Sequence, residues 1–166
     1  MDITKTKDGN LEIETEYKKS INIAIAEYIE AVLDGSVTAS FKLDGVSAKE
    51  VADIKELTGL DVLGYARILT PDSVRHIKKR HGESGLADSS MADILDIARM
   101  EYVLEHYDSI ELLDKKAQGI MNSNNTRAII IRYIKRVNGN YYVAQAVPDS
   151  NRRTLVILSA YKSKAV

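Results

Sequence analysis

Residues 127–147 read RAIIIRYIKRVNGNYYVAQAV, and this stretch predicts the element around which the fold is built. Two runs rich in β-branched and aromatic residues flank Asn138 and Gly139, a pair typical of the two-residue type I′ turn of a β-hairpin. Such a turn pairs Val137 with Asn140, and alternate residues then share a face of the sheet. One predicted face carries Tyr133, Lys135 and Tyr142, and the other carries Arg132, Arg136, Tyr141 and Gln145.

The sequence before the hairpin predicts four helices. Ser47 and Glu50 have the spacing of a capping box, and Thr70 followed by Pro71 is typical of a helix start. Residues 1–13 are expected to form a loose arm or an edge strand. The predicted helices are Glu14–Leu33, Ser47–Thr58, Thr70–His81 and Ser90–Tyr107, the last with a break near Arg99–Met100.

Short extended segments alternate with these helices and follow the hairpin. We expect Asp114–Asn125 to be a polar loop. The predicted extended segments are Ser36–Leu43, Asp61–Leu69, Ser109–Leu113 and Thr154–Lys162, with Leu155, Ile157, Ser159 and Tyr161 on one face of the last. The predicted fold class is therefore α+β, with helices first and then an antiparallel meander of three or four strands.

The composition is typical of a globular domain that can bury a core. The chain has 166 residues, 45% hydrophobic and 28% charged, which fits one domain or one domain with a small N-terminal extension. It contains no cysteine, which excludes a disulfide framework, a thiol nucleophile and zinc–thiolate sites. We find no hydrophobic signal core and no apolar run near the roughly 20 residues of a membrane span, and therefore expect no membrane partner.

Positive charge is concentrated in the second half of the chain. Residues 65–82 hold five Lys or Arg against one Asp, and residues 120–166 hold eight against one. The remaining residues hold ten basic against 22 acidic side chains. This asymmetry favours a positive groove for a polyanion, although ordinary solvated faces also produce charge blocks.

The basic segments carry the groups needed to cleave RNA without a metal ion. RNA supplies its own nucleophile, the 2′-OH, and the reaction needs a base, an acid and cations that hold the phosphate charge. Histidine suits either proton-transfer role because it titrates near neutrality. The catalytic candidates are His76, His81, Lys135, Ser159 and Tyr161, and the substrate-binding candidates are Arg75, Arg80, Arg132, Arg136, Tyr133 and Tyr142.

Each candidate also has a structural interpretation. His76 and His81 lie about 140° apart on the predicted helix, which suits a shared metal poorly, and we predict no metal and no cofactor. His81 is equally typical of a residue that the helix dipole favours at a C-terminus, and His76 of a surface residue. Ser159 lacks the glycine-flanked motif of serine hydrolases, and no phosphate-binding or dinucleotide-binding glycine loop is present.

Four segments together resemble a family of nucleases. They are TPDSVRHIKKRHG (residues 70–82), ILDIARMEYVLEHYDSIEL (94–112), IIIRYIKRVNGNYYVAQAVPDS (129–150) and LVILSAYK (155–162). Their order and spacing resemble the phage-borne branch of the barnase/EndoU/colicin/RelE-like nucleases over residues 60–163. Such modules occur at the C-terminus of phage MuF-type head proteins, in mobile elements and in polymorphic toxins.

The resemblance implies helices packed on a four-stranded antiparallel sheet, and metal-independent RNA cleavage with a cyclic 2′,3′-phosphate product. By position it carries the family's histidine to His76 or His81, its strand cation to Lys135, Arg132 or Arg136, and its final-strand polar residue to Ser159 with Tyr161. Residues 60–166 would form the nuclease domain and residues 1–59 an N-terminal helical extension.

The resemblance also implies partners. It favours RNA, such as tRNA, as substrate, an immunity or antitoxin protein as inhibitor, and a larger phage or mobile-element protein as context. The expected location is the cytoplasm, or the cytoplasm of a target cell after delivery. Two alternatives remain open from the sequence: a non-catalytic nucleic-acid-binding module and a protein-interaction module.

Overall fold

The predicted hairpin lies in the middle of a six-stranded sheet in the computed structural model, which describes residues 15–113 and 129–164. Numbered along the chain, the strands are β1 (Phe41–Leu43), β2 (Ala66–Leu69), β3 (Ser109–Leu113), β4 (Ile130–Val137), β5 (Asn140–Asp149) and β6 (Thr154–Ser163). Their order across the sheet is β1-β2-β6-β5-β4-β3, and every neighbouring pair is antiparallel except β2 with β6. The expected four antiparallel strands are β3 to β6. The expected strand count was wrong, because β1 and β2 add two short strands and make the sheet mixed.

Helices make up most of the first part of the chain. Residues 15–19 form a short helical stretch before the first complete helix. The complete helices that the structure describes are α1 (Ile23–Leu33), α2 (Ala48–Thr58), α3 (Pro71–His81), α4 (Ile94–Ala98) and α5 (Met100–His106).

The helix ends follow the local chemistry of the sequence. The Ser47 hydroxyl accepts from the Glu50 backbone N–H at 3.1 Å, and the Glu50 carboxylate accepts from the Ser47 N–H at 3.3 Å, which confirms the capping box. Gly59 ends α2 in the left-handed region with φ 81°, where a side chain is disfavoured. The predicted break near Arg99 is confirmed, since Arg99 ends α4 and precedes α5.

The core lies between the helices and one face of the sheet, which we call the core face. Each helix contributes at least one buried apolar side chain, and burying one contributes about 1.5–3 kcal/mol. Because α1 and α2 share this core with the later elements, the predicted boundary at residue 59 does not separate two cores. Representative core residues are Ile25, Ile54, Ile77, Ile97 and Leu104 from the helices, and Ile131, Tyr133, Ala144 and Ile157 from the strands.

The opposite face of the sheet, which we call the second face, is set by the hairpin register and by one bulge. The predicted pairing of Val137 with Asn140 is confirmed. The predicted face of β6 was wrong: Ala146 pairs with Ile157 and Gln145 with Ser159, so Leu158 is an extra residue. As a result Leu155 and Ile157 point into the core, whereas Ser159 and Tyr161 lie on the second face with Arg132 and Gln145.

Some predictions fall on parts of the chain outside the described residues. These are the arm at residues 1–13, the helix start at Glu14, the polar loop Asp114–Asn125 and the basic residue Arg127. Among the described helices, none has the length and apolar character that crossing a membrane requires.

Candidate active site on the second face of the sheet

Helix α3 places His81 beside the last strand. Strand β2 pairs only with Thr154–Val156 of β6, so the remaining edge of β6 is left for α3, which follows β2 directly. The Ser73 hydroxyl in the first turn of α3 donates to the backbone carbonyl of Ile157 on that edge. At the other end of the helix, the His81 ring stacks on the Tyr161 ring, with centroids 5.0 Å apart and planes 25° apart.

The segment after α3 holds this helix end in place. Residues 82–91 fold back, and their backbone N–H groups donate to the last four carbonyls of the helix, which would otherwise lack partners. Gly82 and Gly85 have no room for a side chain, because a Cβ would collide with the carbonyl of Lys78 or of Asp88. The accepting carbonyls belong to Lys78, Lys79, Arg80 and His81.

This same segment brings Asp88 to His81. The Asp88 Oδ1 atom lies 3.0 Å from His81 Nδ1. Burial raises the pKa of the Asp88 carboxyl, but hydrogen bonds from Ser90 and His81 outweigh burial and bring the pKa below its ordinary value of 3.8. Asp88 is therefore ionised at neutral pH and can fix the orientation of the His81 ring. The Ser90 hydroxyl also accepts from the Lys162 backbone N–H at 3.0 Å, which ties this segment to β6 beside Tyr161.

Arg132 continues the polar contacts across the sheet. Its side chain forms an ion pair with Glu111, which faces it on β3, and lies near enough to Tyr161 for that hydroxyl to help raise the Arg132 pKa. Burial lowers the pKa of Arg132, but the interactions with Glu111 and Tyr161 raise it by a larger amount. The pKa therefore lies above its ordinary value, and the guanidinium stays charged. A continuous chain of contacts thus runs from Asp88 through His81, Tyr161 and Arg132 to Glu111. We call these five residues the His81–Arg132 cluster.

Two further polar residues of the second face lie next to this cluster. Gln145 faces Arg132 across the β4–β5 pair, and Ser159 faces Gln145 across the β5–β6 pair. Ser159 is 4% exposed, and its hydroxyl has no hydrogen-bond partner in the described part of the chain. A buried unpaired hydroxyl costs about 1–3 kcal/mol, which is typical of a site with a role other than stability.

The basic residues of α3 lie on two different flanks. Successive helical residues are about 100° apart, which places His76 and Arg80 on the flank of Ser73, next to the edge of β6. The pKa of His76 is lowered mainly by partial burial and to a smaller extent by the positive charge of Arg80. Arg75 lies on the other flank, pairs with Asp72 at 2.8 Å and lines a groove beside α1, so it is not brought to the His81–Arg132 cluster.

Three predicted site residues belong to the core face instead. Tyr133 is fully buried, and its hydroxyl donates to Glu50 at 2.9 Å, so it is a core residue and not a substrate contact. Tyr142 is also buried and packs on Tyr17, with ring centroids 4.3 Å apart. Lys135 lies on this face as well, where its Nζ pairs with Asp108 at 3.1 Å. Lys135 therefore cannot act together with Arg132 or Ser159, which point to the opposite face.

Sequence reasoning missed Asp88 and Glu111. Asp88 lies in GESGLADSS, a segment without periodicity that becomes informative only when its hydrogen bonds to α3 are known. Glu111 lies in SIELL, and its position opposite Arg132 depends on the β3–β4 register, which no short turn fixes. The only sequence feature that could have indicated either residue is an acidic side chain close to a basic segment.

A group of carboxylates elsewhere has metal-ligand geometry. Ligand atoms of Asp44, Glu101 and Glu105 lie within 4.8 Å of one another. Asn22 donates to Glu101 at 3.2 Å, which already occupies part of this group. The group belongs to α5 and to the segment before α2, and it includes no member of the His81–Arg132 cluster.

Residues 45–165 match the family described as phage-Barnase-EndoU-ColicinE5/D-RelE like nuclease3. The chain belongs to this family. The match includes α2 and every strand except β1, and thus the whole His81–Arg132 cluster. No curated protein and no solved structure matches the chain.

Membership in the phage-Barnase-EndoU-ColicinE5/D-RelE like nuclease3 family indicates a phage-type nuclease. The match begins at residue 45, which is 15 residues before the predicted start of the nuclease domain at residue 60. The narrower expectation of a MuF-type head-protein domain stays a prediction.

Proposed function

We propose that this protein is a metal-independent endoribonuclease that acts through the His81–Arg132 cluster. The observation that carries the proposal is the contact of His81 with both Asp88 and Tyr161, since Tyr161 shares the second face of the sheet with Arg132. This arrangement joins a proton carrier to a phosphate-binding cation on one face of the sheet. Family membership supports nuclease activity, whereas the RNA substrate and the metal independence belong to the proposal.

The proposed reaction is transesterification by the RNA itself. The 2′-oxygen forms a bond to phosphorus while the bond from phosphorus to the 5′-oxygen breaks. A base takes the proton of the 2′-OH, and an acid gives a proton to the departing 5′-oxygen. The products are a 2′,3′-cyclic phosphate and a free 5′-OH, so neither a water nor an oxidant is consumed.

His81 is the proposed proton carrier. Because Nδ1 faces the ionised Asp88, this nitrogen keeps its proton and Nε2 carries the lone pair. Nε2 can accept a proton, and it can return one when the ring is charged. The stack on Tyr161 restricts ring rotation and keeps Nε2 in one direction. Asp88 acts through His81 and is a positioning residue.

Arg132 is the proposed phosphate-binding residue, and Glu111 is the second group able to carry a proton. A guanidinium binds two phosphate oxygens at once, which suits the charge that develops on phosphorus. Substrate binding would draw Arg132 from Glu111, whose side chain is 43% exposed. A carboxylate released in this way can accept a proton from the 2′-OH, with His81 as the acid.

A second candidate function is nucleic-acid binding without cleavage. His81 is only 8% exposed, and a histidine that caps a helix and stacks on a tyrosine can be structural. In that case the second face binds phosphates through Arg132 and Arg136, binding falls steeply with salt, and RNA remains intact.

Cleavage of tRNA in EDTA tests the proposed function. The variant His81→Ala should lose about 10²–10⁴-fold in rate, the usual contribution of a general acid or base. His106→Ala is the matched control, because His106 is an exposed histidine on α5 that contacts Tyr102 and is not part of the His81–Arg132 cluster. Fragments with cyclic phosphate ends from wild type and His106→Ala, but not from His81→Ala, support the proposal. Intact RNA with wild type, or equal cleavage by His81→Ala, would overturn it.

A further inference from the structure

Arg136 and Tyr141 form a contacting pair at the hairpin end of the second face. They face each other across β4 and β5, and Arg136 donates to the Tyr141 hydroxyl at 3.1 Å. The guanidinium also lies over the tyrosine ring, 5.4 Å from its centroid. Arg136 is exposed, and within the described residues its side chain has no carboxylate at ion-pair distance. Its charge is therefore available to a ligand.

The backbone beneath this pair is held firmly. Asp108 accepts from the Arg136 backbone N–H at 2.7 Å and from Lys135 Nζ at 3.1 Å. The Asp108 N–H donates to the Ile134 carbonyl at 2.8 Å. These contacts fix the end of β4 without using the Arg136 guanidinium, so the pair on Tyr141 is presented to solvent from a rigid support.

The pair is aligned with the proposed active site. Arg132, Ile134 and Arg136 share the second face because they alternate along β4. Arg132 and Arg136 are separated by four residues, or about 13 Å along the strand. Ile134 and Val143, which lie between them, are buried and offer no surface to a ligand. The second face thus carries two cations about 13 Å apart, and the outer one contacts an aromatic ring.

We propose that Arg136 and Tyr141 form a subsite that binds a nucleotide of single-stranded RNA, a few nucleotides from the phosphate held by Arg132. The guanidinium plane on Tyr141 stacks an unpaired base, and its N–H groups bind the adjacent phosphate. Stacking of this kind needs a base that is free of a duplex, which selects a single strand or a loop. The assignment rests on the proposed function for the location of the reacting phosphate.

Binding of an octanucleotide that cannot be cleaved tests the subsite separately from catalysis. The probe is a fluorescent single strand with 2′-O-methyl groups, measured by anisotropy, beside the same strand annealed to its complement. Arg136→Ala and Tyr141→Leu should each weaken binding of the single strand by about 10-fold, the effect of one stacked base. They should change binding of the duplex much less.

Arg153→Ala is the matched control. Arg153 is an exposed arginine over the ring of Tyr65, 5.8 Å from its centroid, and it precedes β6 at the end of the sheet remote from the hairpin turn. This variant removes the same charge and should bind the single strand nearly as wild type does. Equal weakening by Arg153→Ala, or no weakening by Arg136→Ala, would overturn the subsite.

Cleavage assays separate the subsite from the proposed function. With a cleavable octanucleotide, kcat/KM should fall about 10-fold in Arg136→Ala, whereas with a dinucleotide, which is too short to span from Arg132 to Arg136, it should fall much less. A protein that loses octanucleotide binding on Arg136→Ala but leaves RNA intact keeps the subsite and contradicts the nuclease mechanism. If the protein cleaves RNA but Arg136→Ala changes neither octanucleotide binding nor kcat/KM, the nuclease mechanism is kept and the subsite is contradicted.

Discussion

Two polar clusters lie on opposite faces of the same sheet, and they differ in burial. On the core face, Glu50 and Arg67 form a bidentate ion pair at 2.7 and 3.0 Å, and Tyr133 donates to the same carboxylate at 2.9 Å. Glu50 and Tyr133 are fully buried, and Arg67 is 1% exposed. On the second face, the His81–Arg132 cluster combines two acids, an arginine and a tyrosine with a histidine, and it is only partly buried.

The difference in burial separates a cluster that supports the core from one whose residues are available for the proposed reaction. In the core cluster Glu50 is paired with Arg67, and burial raises the pKa of Tyr133, so the Tyr133 hydroxyl keeps its proton near neutral pH. Burial lowers the pKa of Arg67, but the hydrogen bonds and the negative charge of Glu50 raise it by a larger amount, so the pKa of Arg67 lies above its ordinary value. The second-face cluster contains a histidine and a partly exposed Glu111, and beside it the Ser159 hydroxyl has no partner among the described residues. This cluster can therefore respond to a substrate.

The largest expected effect is on stability, in the core cluster. Arg67→Met leaves the Glu50 carboxylate buried without its partner, which should lower the free energy of unfolding by about 3–5 kcal/mol. Urea unfolding measures this change. Arg75→Met is the control, since its ion pair with Asp72 is exposed and contributes about 1 kcal/mol or less. Equal free energies of unfolding for the two variants would show that the buried Arg67–Glu50 pair contributes no more to stability than the exposed Arg75–Asp72 pair.

The next effect is on rate, in the second-face cluster. Arg132→Ala should lower kcat/KM by about 10²–10³-fold, because it removes the cation that holds the developing phosphate charge. Arg132→Lys should recover part of the rate, since it keeps the charge but loses the bidentate geometry. Steady-state cleavage of an oligoribonucleotide gives both values. Full activity of Arg132→Ala would remove this cluster from the mechanism.

A smaller effect separates the hydroxyls that support each cluster. Ser47→Ala removes the cap that holds Glu50 and should cost about 1 kcal/mol of stability, with an unchanged rate per folded molecule. Ser90→Ala removes the hydroxyl that accepts from the Lys162 backbone N–H and so loosens the Asp88 segment from β6, which should cost a similar amount. Only Ser90→Ala should also slow cleavage. Unfolding and cleavage rates are measured for both variants. Equal cleavage rates would contradict the assignment of Ser90, but not Ser47, to the support of the proposed active site.

The smallest effect is the pH dependence of stability that Asp88 confers. Its folded pKa lies below the ordinary 3.8, so its ionised form stabilises the fold fully above the unfolded pKa. That contribution is lost as the pH falls through the folded pKa. Wild type should therefore be more stable than Asp88→Asn near pH 6, by less than about 1 kcal/mol because Asp88 is partly exposed. The difference should shrink below pH 4, and a difference that grows there would have the wrong sign.

The sequence predicts the parts of the fold that depend on neighbouring residues. Asn138 and Gly139 permit only a tight turn, which fixes the register of the whole hairpin. Ser47 with Glu50, and Thr70 with Pro71, mark helix starts because the capping interactions span three residues or fewer. These interactions are local, and the structure reproduces them.

The parts that depend on distant contacts were not predictable in the same way. Alternation places Tyr133 and Lys135 on one face but does not say which face is buried, because Glu50 satisfies the Tyr133 hydroxyl from 83 residues away. The extra residue Leu158 moves Ser159 and Tyr161 off the core face, and no residue pattern marks the bulge. His81 was predicted as a site residue, but its partner Asp88 depends on backbone hydrogen bonds to the end of α3.

A substrate with a single ribonucleotide shows whether cleavage uses the 2′-OH of RNA as its nucleophile. A DNA oligonucleotide with a single ribonucleotide is incubated with the protein in EDTA, beside the all-deoxy strand and the His81→Ala variant. The proposed mechanism predicts one cut, directly 3′ to the ribonucleotide, with a cyclic phosphate end, and no cut in the all-deoxy strand or with His81→Ala. Cleavage of the all-deoxy strand, cleavage that appears only after a divalent metal is added, or full activity of His81→Ala would contradict it.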